Sequence, residues 1–138
     1  ERLLDWPSLE WAPAWSPDGR RLAFTSNRGR DGRTAAPWQV WTVSVGGEDP
    51  QWLVEGCLPD WSPDGAQILF VRDLGGAMTG PIFRIPAAGG TPVLVGQERA
   101  ALVWPRWSPD GSEILFGQIG GAVADIWIAD VSQLMRGR

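Results

Sequence analysis

The 138-residue sequence has no histidine, no lysine and no tyrosine, and a single cysteine, Cys57. Each absence removes a class of chemistry. Without histidine, neither a Ser-His-Asp nor a Cys-His nucleophilic constellation can be assembled, and metal sites rich in His or Cys are excluded with them. One cysteine forms no internal disulfide, so the fold does not depend on oxidising conditions; Cys57, set in an apolar run, is expected to be a small core residue. No apolar stretch approaches the roughly 20 residues that span a bilayer, and composition leaves the compartment open. Sixteen carboxylates face twelve arginines for a net charge of −4. That balance gives no electrostatic footprint for nucleic acid or an anionic membrane. No cofactor and no metal are expected.

What the chain does have is tryptophan, ten of them, with 18 glycines and 12 prolines. Gly and Pro at that density argue against long helices and for many turns. The tryptophans are not scattered. The string "AWSPDGRRLAF" (14–24) returns as "DWSPDGAQILF" (60–70) and "RWSPDGSEILF" (106–116), so Trp15, Trp61 and Trp107 follow one another at a step of 46 residues. Pro13, Pro59 and Pro105 keep the same step. A period of 40 to 50 residues signals propeller blades or helical repeats. Short β-rich segments without a sustained 3.6-residue period select blades.

Four strands per unit are expected. The first ends at the motif (about 12–16, 58–62 and 104–108). The second follows the turn ("RRLAFTS", "AQILFVR", "SEILFGQ"). The third is "WQVWTVS", "PIFRIPA" or "DIWIADV", and the fourth is "QWLV" (51–54) or "PVLV" (92–95). Gly46-Gly47 and Gly89-Gly90 mark the turn between the last two; the third unit has no such pair. The units run over about 9–54, 55–98 and 99–131. Loops vary in length while strands do not, as a repeat scaffold requires.

Within each motif the residues suit a tight hairpin. Pro17, Pro63 and Pro109 preset φ for the first central position, and Asp18, Asp64 and Asp110 suit the next. Gly19, Gly65 and Gly111 accept a left-handed conformation. The hydroxyls of Ser16, Ser62 and Ser108 can bond a nearby backbone N–H. The serines have no base in reach and the aspartates sit in turns, so all of these are read as structural rather than catalytic or metal-binding. Trp15, Trp61, Trp107, Trp41 and Trp127 occupy repeat-equivalent strand positions and are expected in the core. Trp38, Trp104 and Trp11 are the better candidates for exposure, and even there packing is the favoured reading. In the second unit the strand after the turn is apolar on both faces, as befits a sheet sandwiched between neighbours.

The pattern Pro-x-Trp-Ser-Pro-Asp-Gly-x-x-(Ile/Leu)-x-Phe, then (Ile/Val)-Trp-x-(Val/Ile), then Gly-Gly, resembles the TolB-like (WD-like) β-propeller repeats, found also in the propeller domains of prolyl-oligopeptidase-type enzymes. The resemblance implies an all-β fold of three four-stranded blades, and TolB-like rings usually hold six. Three blades leave two open ends, with exposed backbone edges and apolar faces. The opening "ERLLDW" aligns with the fourth strands, whereas the last unit lacks one. Residues 1–8 are therefore expected to complete the last blade of a second copy, giving a homodimeric six-bladed ring.

The expected function is a non-catalytic scaffold that binds a protein or small ligand on its loop face. The alternative is the propeller portion of a prolyl-oligopeptidase-type serine hydrolase, gating substrate to a separate catalytic domain. The candidate partner-binding residues are Arg28, Arg30, Asp31 and Arg33 in the long loop "SNRGRDGRTAAP", whose charges suit an acidic partner or carboxylate. Asp60 and Arg106 join them, as residues that line the channel or pair across a blade boundary.

Overall fold

A computed structural model describes residues 2–33, 37–96, 100–120 and 123–134. The described residues form eleven strands in three antiparallel sheets. The first sheet holds β1 (Glu10–Trp15), β2 (Arg21–Ser26), β3 (Gln39–Ser44) and β4 (Gln51–Glu55), in that order. The second repeats the plan with β5 (Cys57–Trp61), β6 (Gln67–Val71), β7 (Ile82–Pro86) and β8 (Val93–Val95). The third has β9 (Leu102–Trp107), β10 (Glu113–Gly120) and β11 (Val123–Asp130), followed by a single helical turn, α1 (Val131–Leu134). Nearest-neighbour order follows from the turns: each Trp-Ser-Pro-Asp-Gly segment folds back at once, so consecutive strands pair. The first strands of successive sheets lie beside one another, β1 next to β5 and β5 next to β9.

Two apolar seams fill the space between the sheets. In the first, Ala14, Ala23, Val40 and Val54 meet Trp61, Ile68, Phe70, Phe83 and Ile85. In the second, Leu69, Val71, Ile82 and Val95 meet Leu102 and Ile114. The middle sheet is thus apolar on both faces because it has a neighbour on both, as the unbroken apolar run Ile68–Val71 of β6 requires. Each fully buried aliphatic side chain contributes about 1.5–3 kcal/mol by transfer.

The outer sheets lack one neighbour each, and this corrects the expectation for two tryptophans. Trp15 is 61% exposed and Trp127 50% exposed, whereas Trp41 and Trp61 are only 7% and 8% exposed. Trp15 stands opposite Leu22 on the face that looks away from the second sheet. Trp127 stands opposite Phe116 on β11, which has no strand beyond it among the described residues. Their positions in the repeat match that of a core residue; what they lack is the structure that would cover them. Trp104 is exposed, against the expectation of packing, while Trp11 and Trp38 are half-buried and stack edge-to-face with centroids 5.5 Å apart.

Residues 2–9 lie in no strand within this chain. Instead Leu3, Leu4 and Trp6 fold over the outward face of the first sheet, against Phe24, Trp41 and Val43. Trp6 meets Trp41 at 5.1 Å edge-to-face and Phe24 at 5.9 Å.

Each first strand also carries a feature the sequence did not announce. Ala12, Leu58 and Trp104, three residues before the motif Trp, have φ of 50°, 55° and 52°. The strand registers shift at the same places, between Trp11 and Ala14, Cys57 and Asp60, and Val103 and Arg106. These are β-bulges, and each left-handed residue precedes a proline, a position usually extended. At Leu58 the backbone N–H donates to Thr25 Oγ1 of the first sheet at 2.9 Å, a bond across the seam that helps hold the strained conformation.

Candidate functional site

The three motif turns are built alike and closed on themselves. The hydroxyl of Ser16 donates to Asp18 Oδ1 at 2.6 Å and accepts from the Arg21 N–H at 2.9 Å, while Asp18 Oδ1 also accepts from Arg20 N–H. Ser62 and Asp64 repeat this with Gln67 and Ala66, and Ser108 and Asp110 with Glu113 and Ser112. Hydrogen bonding to the charged form, first of all from the motif serine, lowers the carboxyls of Asp18 and Asp64 and holds Asp110 at about 2. A serine that spends its proton on the neighbouring aspartate is a turn lock, not a nucleophile. Among the described residues no three His, Cys, Asp or Glu side chains are grouped so as to hold a metal.

Gly19, Gly65 and Gly111, with φ of 70°, 71° and 74°, close these turns and also let them nest. A Cβ placed on Gly65 would lie 3.3 Å from Pro17 Cγ, and one on Gly111 would lie 3.7 Å from Pro63 Cδ. The proline of each turn therefore leans on the glycine of the next. Gly19 has nothing within 4 Å of that point.

Two arginines of the first loop lie over aromatic rings. The Arg28 guanidinium lies 4.6 Å from the Trp6 ring and that of Arg30 5.1 Å from the Trp52 ring. The Trp41 indole N–H donates to the Arg28 carbonyl at 3.2 Å. Arg33 and Asp31 form an exposed ion pair at 3.6 Å, and Asp31 Oδ1 accepts the Arg33 backbone N–H. Residues 34–36 of this loop lie outside the described residues. Arg30 and Arg33 are exposed, Arg30 with its guanidinium over Trp52, while Arg28 is half-buried and braces Trp6.

Asp60 and Arg106 meet across the boundary between the second and third sheets. Arg106 Nη1 lies 3.4 Å from Asp60 Oδ1 and 3.3 Å from the Pro59 carbonyl, and Asp60 Oδ2 accepts the Trp107 N–H at 2.8 Å. Burial pushes the Asp60 carboxyl up, against the opposing pull of the Trp107 N–H and of Arg106. The pair ties β5 to β9.

Sequence reasoning missed a cleft of about 320 Å³ between the loops of the first two sheets. Trp38, Trp52, Glu55, Arg72 and Asp73 line it. Arg72 lies 3.9 Å from the Phe83 ring centroid, and the Asp73 carboxylate accepts the Gly76 and Met78 N–H groups at 2.8 and 3.0 Å. The signal available was that the β2–β3 and β6–β7 loops emerge on one face of adjacent sheets. Which side chains meet there depends on the seam, not on either loop alone.

Antiparallel sheets of three or four strands that follow one another side by side, with bulged first strands adjacent and apolar seams between, define a β-propeller. The TolB beta propeller domain family (PD40) matches residues 1–136, and the chain belongs to that family. Among solved structures, TolB from Acinetobacter baumannii superposes with a TM-score of 0.77 at 19% identity, covering 96% of this chain and 32% of that one. A putative TolB from Agrobacterium tumefaciens gives 0.73 at 19% identity, with 93% and 47% covered. The β-propeller domain of the Trilobed protease from Pyrococcus furiosus, described as having an open velcro topology, gives 0.64 at 13%, with 91% and 40% covered. This chain thus spans a third to a half of these structures. No curated protein matches it.

Proposed function

We propose that the chain is a non-catalytic propeller scaffold that closes into a six-bladed ring with a second copy of itself and binds a partner on its loop face. The observation that carries this reading is the pair of unfinished ends. One end presents Trp15 and an unoccupied Gly19; the other presents Leu115, Ile119, Ile126 and Ile128 on a sheet of three strands among the described residues. An apolar face of that kind on a sheet edge favours association over exposure. Continuing the contact of Pro17 on Gly65 and Pro63 on Gly111 sets Pro109 of one copy on Gly19 of the other. A closed two-fold arrangement then satisfies both ends at once. On the loop face, Arg33 and the Trp38–Arg72 cleft suit a partner that offers a carboxylate beside an apolar group. Sedimentation equilibrium of the chain tests the ring: a species of twice the chain mass is expected, and a single-chain mass at high micromolar concentration would sink it.

A second reading is favoured by one observation, the likeness to a protease's propeller domain. In it the chain is the propeller portion of a prolyl-oligopeptidase-type hydrolase and gates substrate to a catalytic domain. A Gly-x-Ser-x-Gly segment encoded beyond Arg138 would establish it; the absence of one from the full gene would remove it.

A further inference from the structure

The cleft between the loops of the first two sheets draws its walls from both. Trp52 and Glu55 come from β4 and Trp38 from the residue before β3, whereas Arg72 and Asp73 directly follow β6. The aromatic wall is fixed in advance. The Trp52 indole N–H donates to Gln39 Oε1 at 2.6 Å, and Trp38 is held edge-to-face on Trp11. Both Trp38 and Trp52 are half-buried, so each keeps part of its surface open.

Arg72 is the cation of this cleft, and it is anchored without being paired. Its backbone N–H donates to the Pro81 carbonyl at 3.0 Å, and its exposed guanidinium lies 3.9 Å from the ring centroid of the buried Phe83. Among the described residues it has no ion pair, and its guanidinium makes no hydrogen bond. The neighbouring Asp73 carboxylate is committed to the Gly76 and Met78 N–H groups. A guanidinium stacked on a ring keeps its donors in its own plane, where a carboxylate can take two of them side by side. Glu55, exposed on the first-sheet wall and likewise without an ion pair among the described residues, repels a carboxylate there and turns it towards Arg72.

The volume limits what accompanies that carboxylate. At about 320 Å³ the cleft stands at the small end of ligand sites, room for one large side chain and the groups on its own Cα. An aspartate or glutamate side chain carries its carboxylate with no apolar group attached. The last residue of a peptide carries both on one carbon.

We infer that this cleft captures the C-terminus of a peptide or protein partner that ends in a large apolar residue. The α-carboxylate takes the Arg72 guanidinium, and the last side chain lies against Trp38 and Trp52. Because those three side chains are already held, little ordering is needed on binding. The inference rests on the loop-face reading and names the chemical group that face recognises.

Calorimetric titration of the whole chain with the peptide acetyl-Ala-Ala-Ala-Phe tests it. Saturable binding is expected, weakened at least tenfold when the same peptide is amidated at its C-terminus. Arg72→Ala is expected to weaken the acid at least tenfold and leave the residual binding of the amide unchanged; a misfolded variant would lose both. Equal affinity of the wild-type chain for acid and amide overturns the inference. So does binding of free phenylalanine as tight as that of the peptide, or an Arg72-dependent preference for a uronate disaccharide or for a peptide with an internal aspartate and an amidated end. These last three outcomes leave a carboxylate site on the loop face standing. If none of the carboxylates binds, that reading of the loop face falls too.

Discussion

The seam between the first two sheets and the outward face of the third are built from the same kind of strand, yet they meet opposite fates. Ile85 is inaccessible to solvent, while Ile128 and Ile126, on the strand of the same rank in the third sheet, are largely exposed, Ile126 at 81%. Strand chemistry does not separate them; a neighbouring sheet does. In a repeat protein, burial is a property of the stack: the same kind of strand is buried where a neighbouring sheet covers it and exposed where, among the described residues, none does.

The sharpest way to break the comparison is truncation on both sides of it. Trp61→Ala is expected to cost about 3–5 kcal/mol in urea unfolding, because it empties a packed seam. The repeat-equivalent Trp15→Ala is expected to cost about 1 kcal/mol or less in the separate chain. Equal losses would mean that the face of Trp15 is already covered in solution.

A smaller effect is expected where the second seam is pinned by charge. Asp60→Ala strips the Trp107 N–H of its acceptor and Arg106 of its counter-ion, and a loss of about 1–3 kcal/mol is expected. Asp60→Asn keeps an oxygen for that N–H and relieves the burial of a charge, so it should lose less than half as much. If the two variants are equal, the hydrogen bond to Trp107 contributes little.

Acid should act on the turns next. The folded carboxyl of Asp110 stands at about 2 against an ordinary 3.8, and Asp18 and Asp64 are lowered in the same sense. A lowered folded value contributes stability above the unfolded value and loses it as pH falls through the folded one. The thermal midpoint is therefore expected to fall between about pH 4 and about pH 2, and Ser108→Ala should shallow that fall. Asp60 runs the other way: its raised value favours the protonated form in the folded chain, and its contribution fades as pH rises through that value. The smallest effect belongs to Arg33→Ala, whose exposed ion pair is worth about 0.5 kcal/mol or less by the same unfolding measurement.

Local chemistry made the strands and turns legible in advance. Pro-Asp-Gly spells its own hairpin, and alternation marks the strands it joins, so all three first-to-second strand connections stand where the sequence put them. Burial of Trp15 and Trp127 was not legible, since it depends on what lies across a gap. Nor were the bulges, where Ala12, Leu58 and Trp104 adopt positive φ before proline against their usual preference. Of the candidate site, the Asp60–Arg106 pairing across a boundary was foreseen as one of two options. The seating of Arg28 and Arg30 over aromatic rings was not, because it depends on Trp6 and Trp52 arriving from distant parts of the chain.

Cys57 lies fully buried where β5 enters the second seam, and burial pushes its thiol up to about 12. Near neutral pH the closed chain offers an alkylating reagent neither access nor thiolate. Labelling must then wait for the second and third sheets to part, and its rate at saturating reagent becomes a clock for that breathing motion. The chain carries one such thiol, so the readout needs no deconvolution.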